Sequence, residues 1–391
     1  MLVRLEEARR ILERAHFRTP GVVEVSPAQG VGRLAGRTLR AARDLPETDV
    51  SAMDGFAVRT GSGRTGTTFA LRGPTARSGA RSPPLAAGEA VAISTGARLP
   101  PGANAIVRVE STQLRGGFLH SVDPVRRGQD IIPRGESIRR GEVVVERGAP
   151  VRPYHLSVLL ADGGSRLPVF KVRVAILPIG NEIRGAGRPR AGTVRDIIGP
   201  VCGRLLPFAH VRYLPAVRDD PRRLRAVIEK EARRSDLLLT IGGSSVGRDD
   251  VTKRTLTEMG EILFEGVQAN VLKRGAVAQV NGMAVLVLPG QVVSAVTVLH
   301  EHGFHVVSRM VGHELRRFDR VRLSTPVPVN HHMDSTFLFR VRDGRAVPLP
   351  WGVARLQALM QANAFGVLAR GHDWNAGDEV RLQRLELDGP S

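Results

Sequence analysis

The first fifteen residues carry Leu5, Ala8, Ile11, Leu12 and Ala15 at intervals of three and four, a spacing that predicts an amphipathic helix. From about 18 to 170 the pattern shortens. Apolar runs such as VAIST, AIVRVE and EVVVE are separated by Gly/Pro clusters such as RSPPLAAGE and LPPGAN, which reads as strands joined by turns. From about 171, three near-continuous apolar runs appear, KVRVAILPIG, DLLLTIGG and MAVLVLPG, and each predicts a buried strand. Between the first two lies RDDPRRLRAVIEKEARR, where Asp220 can cap a helix and Pro221 can take its first position. Leu224, Val227, Ile228 and Glu231 follow at helical spacing, and VVSAVTVLHEHGFHVVSRMVG after the third run predicts another long helix. This alternation argues a parallel sheet covered on both faces. From about 318, short strands return in RVRLSTPVPV, TFLFRVRD and DEVRLQRL, predicting a small C-terminal β domain. The expected class is therefore multidomain, α/β and β, around a mostly parallel sheet.

Composition narrows the chemistry. At 391 residues, 42% apolar and 24% charged, the chain has the balance of a globular protein of two to four domains. A single cysteine, Cys202, excludes an intramolecular disulfide framework and a cysteine-based zinc site. No apolar run reaches the roughly 18 residues of a membrane span, and MLVRLEEARR is not a signal peptide, so the expected location is cytoplasmic. The net charge is +19, yet only four of the 57 basic residues are lysine (Lys171, Lys230, Lys253, Lys273). Arginine replacing lysine along the whole chain reads as coding bias more than as a nucleic-acid face. Aromatics at 4% leave few stacking platforms, so nucleic acid is not an expected partner. The positive field still concentrates small anions.

Ligands of open α/β sheets bind beyond the carboxyl ends of the strands. The three apolar runs deliver Gly180-Asn181-Glu182, Gly242-Gly243-Ser244-Ser245-Val246-Gly247 and Pro289-Gly290-Gln291 to that edge. In the second loop, adjacent glycines let backbone N–H groups approach a ligand and serine hydroxyls add donors, suiting a phosphate or polar ring. Arg248, Asp249, Asp250 and Lys253 come next, but the GK[ST] ending of a nucleotide P-loop is missing. A plain strand-to-helix turn is the competing reading of that loop. Glu182, directly after a strand and a Gly turn, can hold Mg²⁺ against phosphate oxygens. Asp54, beside glycine in SAMDGFA, reads by itself as turn chemistry. Asp219 and Asp220 precede a helix, and Asp220 reads as its cap. Ser294 can cap the last long helix or donate to an anion there. GSGRTGT at 61–67 reads as a hairpin turn. His300, His302 and His305 lack HExxH spacing, with His300 and His302 on different faces of a regular helix, and read as helix polar positions rather than metal ligands.

Several segments together resemble the MoeA family, the molybdopterin molybdenumtransferases of molybdenum cofactor biosynthesis, to which the C-terminal part of gephyrin is similar. LPETDVSAMDGFAVR resembles the family's LPxxDNSAMDGYA, and AISTGARLPPGANAIVRVE its TGAxxPxGADAVVxxE. LLLTIGGSSVGRDDVTK resembles SGGVSVGxxDxxK, and VLPGQVVSA resembles LPGNPVSA. The likeness runs from about residue 5 to 385. It implies an elongated linking domain (1–45 and 146–170), a β-rich domain (46–145), an α/β molybdopterin-binding domain (171–317) and a C-terminal β domain (318–391). It also implies a homodimer whose active cleft lies between the α/β domain of one subunit and the β-rich domain of the other. The implied reaction inserts molybdate at the dithiolene of adenylylated molybdopterin and hydrolyses the adenylate to AMP with Mg²⁺. An upstream adenylyltransferase and acceptor molybdoenzymes are the implied partners. Carried over by position, Asp54, Thr95, Glu182, Asp219 and Asp250 are the acidic and hydroxyl site residues, with Asp54 and Glu182 arranging Mg²⁺ and molybdate. Gly242, Gly243, Ser244, Ser245, Gly247, Lys253, Lys273 and Ser294 fall in the pterin and phosphate region.

The chain departs from the family pattern in the same segments. Val50 replaces the Asn of DNSAMDG, Asn104 the Asp of GADAV, and Ser137 the Asp of GED. Ile179 and Asn181 stand in place of the Thr and Asp of the TGDEL turn, and Gln291-Val292 in place of Asn-Pro. Gly266 and Asn270 fall where lysines are usual, and Trp351-Gly352-Val353 where a GSG turn is usual. Asn and Ser can still hydrogen-bond but cannot neutralise charge. Two readings remain: a molybdenum-inserting enzyme, or a carrier or sensor that binds molybdopterin or mature cofactor without turnover.

Overall fold

The computed structural model describes residues 2–61, 67–73, 83–184, 191–242, 251–330, 332–350, 352 and 355–385. The chain forms two compact units, one comprising Met1–Thr38, Val145–Arg152 and Arg166–Ser391, the other Leu39–Val144 and Pro153–Ser165.

The larger unit begins with helix α1 (Leu5–Arg14), which buries Leu5, Ala8 and Leu12, three of the five positions its spacing singled out. In the smaller unit, strands β1 (Gly55–Val58), β2 (Thr68–Leu71), β3 (Glu89–Ile93), β4 (Ala105–Arg108), β5 (Thr112–Arg115) and β6 (Phe118–Ser121) form one sheet in the order β4-β1-β3-β2-β6-β5. The turn expected at 61–67 lies almost wholly outside the described residues.

The α/β layer of the larger unit is built from β7 (Arg173–Pro178), α2 (Ile198–Arg204), β8 (His210–Tyr213), α3 (Pro221–Ala232), β9 (Leu237–Ile241), α4 (Val251–Met259), β10 (Glu261–Phe264), β11 (Ala276–Val280) and β12 (Met283–Leu288). The sheet order is β8-β7-β9-β12-β11-β10, parallel through β12 and antiparallel beyond it. Its two faces divide the apolar residues by strict alternation. Val174, Ile176, Leu237, Leu239, Leu286 and Leu288 enter one core, while Ala175, Leu177, Leu238, Val285 and Val287 enter the other. Asp220 caps α3 by accepting from the N–H groups of Arg222 and Arg223, and Pro221 is its first residue.

The last long helix departs from regularity. It runs as α5 (Val292–Val298), a π turn at Leu299–Gly303, then α6 (Phe304–Val311). A π turn inserts one residue and rotates the remainder of the helix by about 100°, so face assignments based on a 3.6 period fail beyond it. His300, Glu301, His302 and His305 are therefore all buried, correcting the expectation of ordinary polar positions. Gln383 donates to the His300 carbonyl at 2.9 Å. His302 packs edge-on to Phe264 and His300 lies beside Phe304, so the rings sit as apolar bodies among aromatics. Among the described residues no protein group hydrogen-bonds His300 Nε2 or either ring nitrogen of His302.

Burial pushes all three histidines down to about 4; for His302 and His305 the Arg316 charge adds to this. An unfolded histidine takes up its proton near 6.5. Folding is thus fully supported above that pH and weakened as pH falls from 6.5 toward 4, where only the unfolded chain binds the extra protons. Urea midpoints measured across this window are expected to fall steeply, by the equivalent of a few kcal/mol. A H300F/H302F variant should flatten that fall.

The chain closes in a five-stranded barrel of β13 (Phe318–Leu323), β14 (Ser335–Arg342), β15 (Arg345–Pro348), β16 (Ala364–Leu368) and β17 (Glu379–Arg384), ordered β13-β15-β14-β16-β17. Its interior holds Leu323, Phe339, Ala346 and Leu382. No described helix is long and apolar enough to cross a membrane.

Candidate active site

In the larger unit the carboxyl ends of the parallel strands are joined by backbone hydrogen bonds. The Ile179 N–H donates to the Ile241 carbonyl at 2.8 Å, Gly180 to Val217 at 3.0 Å, and Gly242 to Leu288 at 3.2 Å. Gly242 sits at φ +87°, and a Cβ there would lie 2.4 Å from the Ile179 carbonyl oxygen, so the close approach and the left-handed turn both demand glycine. The Glu182 carboxylate folds back over Gly180, where a Cβ would stand 2.8 Å from each of its oxygens. Glu182 is exposed, and so is Asp219, two residues beyond the Val217 that binds Gly180. The strand-end link thereby brings the Glu182 and Asp219 turns alongside one another.

Asp196 is not singled out by the sequence, where it follows Arg195 with no flanking motif. It stands at this rim, two residues past the Val194 N–H that donates to the Glu182 carbonyl at 2.9 Å. Its Oδ1 accepts from the N–H groups of Ile198 and Gly199, each at 3.0 Å, and so organises the start of α2.

Lys253 lies in the first turn of α4, half-buried, while Lys273 is exposed in the 3₁₀ turn Leu272–Arg274. Ser294 is the third residue of α5 and is buried; the residue preceding the helix is Gln291, and no described side chain caps it. Ser294 as cap is thus corrected, because the helix starts three residues earlier than that reading required. Gly243, Ser244, Ser245, Gly247 and Asp250 lie outside the described residues.

In the smaller unit, Asp54 and Thr95 come together. The Thr95 N–H donates to Asp54 Oδ1 at 2.7 Å and its hydroxyl lies 3.2 Å from the same oxygen. The approach is fixed by buried Ser51, whose hydroxyl donates to the Met53 carbonyl at 2.6 Å. Ser51 also exchanges backbone hydrogen bonds with the TGA segment, donating to Ala97 at 2.9 Å and accepting from Gly96 at 2.8 Å. Both Asp54 and Thr95 are exposed.

Several departures from the family pattern have architectural reasons. Asn104 clasps Thr60, accepting from its N–H at 2.9 Å and donating to its carbonyl at 2.8 Å. A carboxylate could make only the first contact. The N104D variant is expected to lose about 1–3 kcal/mol in urea unfolding, because the Thr60 carbonyl loses its donor and faces a charged oxygen. Asn270 Oδ1 accepts from Val271 at 2.7 Å and from Thr336 of the barrel at 2.9 Å. At Gly266 a Cβ would lie 2.1 Å from the Lys273 carbonyl oxygen, so this backbone admits no side chain there. Val50 pairs with Ile132 in a two-stranded ladder. Ser137 and Asn181 are exposed and carry no comparable duty among the described residues.

Thiol chemistry has no support: Cys202 is buried, and burial, with a lesser contribution from Asp196, pushes its thiol up to about 12. Among the described residues no three His, Cys, Asp or Glu side chains form a metal-holding group.

Comparison with known proteins agrees with this architecture. Residues 3–163 match the MoeA N-terminal region, domains I and II, and residues 175–309 match a probable molybdopterin binding domain. A molybdopterin molybdenumtransferase of Synechococcus elongatus is 28% identical over 385 residues, spanning 94% of this chain and 95% of its own length. One from Haemophilus influenzae is 26% identical over 317 residues, 80% of this chain and 78% of its own. The crystal structure of a molybdopterin biosynthesis MoeA protein from Pyrococcus horikoshii superposes with a TM-score of 0.77 at 25% identity, covering 99% of this chain and 100% of that one. The two family matches and the whole-chain superposition have one reading: the chain belongs to the MoeA family.

Proposed function

We propose that this protein is an enzyme of molybdenum cofactor biosynthesis that inserts molybdate into adenylylated molybdopterin and releases AMP. The observation that carries the reading is the pair of exposed carboxylates, Asp54 and Glu182, the first held by hydrogen bonds and the second standing over a glycine turn. Asp54 is oriented by Thr95, and Glu182 is folded over Gly180. An exposed carboxylate beside a glycine turn, with no ion pair among the described residues, is suited to a ligand.

Oxygen-only donors supplied one or two at a time suit Mg²⁺, which takes its remaining ligands from water and substrate phosphate. Asp54 and Glu182 are the residues that would hold it. When bound, it would neutralise phosphate oxygens while water cleaves the phosphoanhydride between pterin phosphate and adenylate, giving AMP. The protein's own part is positional. Lys253 and Lys273 are the cations for pterin phosphate, and the left-handed turn at Gly242 gives the pterin a close backbone approach, with Gly243, Ser244, Ser245 and Gly247 assigned to the same ligand by sequence alone. The start of α5, which no described side chain caps, presents N–H groups to an anion. Asp219 and Asp250 are assigned to the acidic side of the same site. A homodimer of this chain, with each cleft completed by the partner's Asp54 segment, completes the proposal.

The carrier or sensor reading rests on Gly266, Asn270, Ser137 and Asn181; the first two have structural duties that account for their identity, and the last two have none among the described residues. Calorimetric titration with adenylylated molybdopterin, alone and with molybdate and Mg²⁺, tests the choice. The enzyme reading predicts binding followed by reaction heat only when molybdate is present. Binding heat alone in both titrations would instead assign a carrier.

A further inference from the structure

The outer wall of the barrel carries an arrangement of charge that the proposed reaction does not use. The register of β13, β15 and β14 sets Arg322 opposite Arg345, and Arg345 opposite Arg342, so three arginines form one row across three strands. Their interior neighbours Leu323 and Ala346 are buried, and all three arginines are exposed. Arg340, also exposed, lies on the same face one step along β14, opposite Val347. Like charges directly opposed on neighbouring strands destabilise a sheet. Chain-wide preference for arginine explains why these residues are not lysine, but not why they stand side by side.

Several arginines elsewhere meet carboxylates as bidentate forks, as in Arg108–Asp130, Arg173–Asp236 and Arg384–Asp319. Among the described residues no carboxylate pairs with Arg340, Arg342 or Arg345. Two carboxylates border the row. Asp343 sits in the tight turn between β14 and β15, and Glu379 faces Arg322 across the ladder but pairs with Arg320 at 3.1 Å. Arg322 itself donates to the Gly377 carbonyl at 2.9 Å.

We propose that this row binds the phosphate backbone of nucleic acid without sequence preference. Three guanidinium groups at strand spacing extend over about 9.6 Å, long enough to bridge neighbouring phosphates of one strand. Guanidinium forks take phosphate bidentately. A protein partner is disfavoured by the lack of an apolar centre, since interface cores are apolar and poor in charge, whereas Val347 is the one large apolar side chain exposed among the described residues of this patch. The scarcity of aromatics argues against base stacking, and backbone binding requires none.

The test is fluorescence anisotropy of a labelled 20-base-pair duplex with full-length protein between 50 and 200 mM NaCl. The R322Q/R342Q/R345Q triple variant is expected to bind at least tenfold more weakly at 50 mM. Its slope of log K against log salt should be shallower by about two to three units, as the loss of three phosphate contacts requires. Its thermal midpoint should be unchanged or raised, because repulsion within the row is relieved. A control of equal charge change at exposed arginines of α1 and just after α3, R10Q/R14Q/R233Q, should lose little affinity. Equal weakening in both triples would mean diffuse attraction by net charge and would overturn the proposal. Displacement of the duplex by oligo-glutamate at equal charge concentration would assign the face to an acidic protein and overturn it equally.

Discussion

Replacing Glu301 by alanine is expected to destabilise the protein by about 3–5 kcal/mol, the usual result of stripping one partner from a buried ion pair. Glu301 is 1% exposed and receives Arg9 Nε at 2.8 Å and Arg9 Nη2 at 3.0 Å, with Arg316 Nη1 at 3.3 Å. Burial alone would raise its carboxyl, but the hydrogen bonds and charge of Arg9, supported by Arg316, hold it down at about 2. The alanine variant would leave two guanidinium groups around an emptied site. Arg316 keeps Glu314 at 2.7 Å, so Arg9 bears most of the loss. This cluster ties α1 to the π turn and to the residues just before β13, so its rupture should lower the urea midpoint of the whole larger unit. A shift below about 1 kcal/mol would mean that the ion pair is not what fastens α1. The double variant R9M/E301M, which removes both charges and keeps apolar volume, should recover most of the loss.

Glu182→Gln is expected to reduce turnover about a hundredfold, while leaving the thermal midpoint within a degree of the parent. Glu182 is exposed and makes no ion pair among the described residues, so folding loses little. If it holds charge on the reacting phosphates, loss of one charge-assisted contact removes roughly 1.5–3 kcal/mol from the transition state. The amide keeps the shape over Gly180 and tests charge alone. Steady-state measurement should show the loss in kcat, with KM for the pterin nearly unchanged. Turnover within twofold of the parent would remove Glu182 from the machinery.

The contrast between these two glutamates shows what a sequence discloses. The exposed place of Glu182 at a strand end is legible because an apolar run and a Gly turn precede it. Glu301 is hidden by the π turn, since a regular period assigns residues 300–302 to diverging faces and gives no sign that all are buried. The strands at 173–178, 237–241 and 283–288 are legible from unbroken apolar runs, and the cap at Asp220 from its proline. Asn104 and Asn270 read as losses in the sequence because only the structure reveals the backbone groups they satisfy. The arginine row is equally hidden, because register between β13, β15 and β14 is a tertiary property.

The most direct test of the account is a reconstitution of purified protein with adenylylated molybdopterin, Mg²⁺ and molybdate, tracking AMP release and active cofactor together. The account predicts AMP release that requires molybdate, in step with cofactor that activates an apo-molybdoenzyme. Tight pterin binding with no molybdate-dependent AMP would contradict it and leave Asp54 and Glu182 as features of the fold alone.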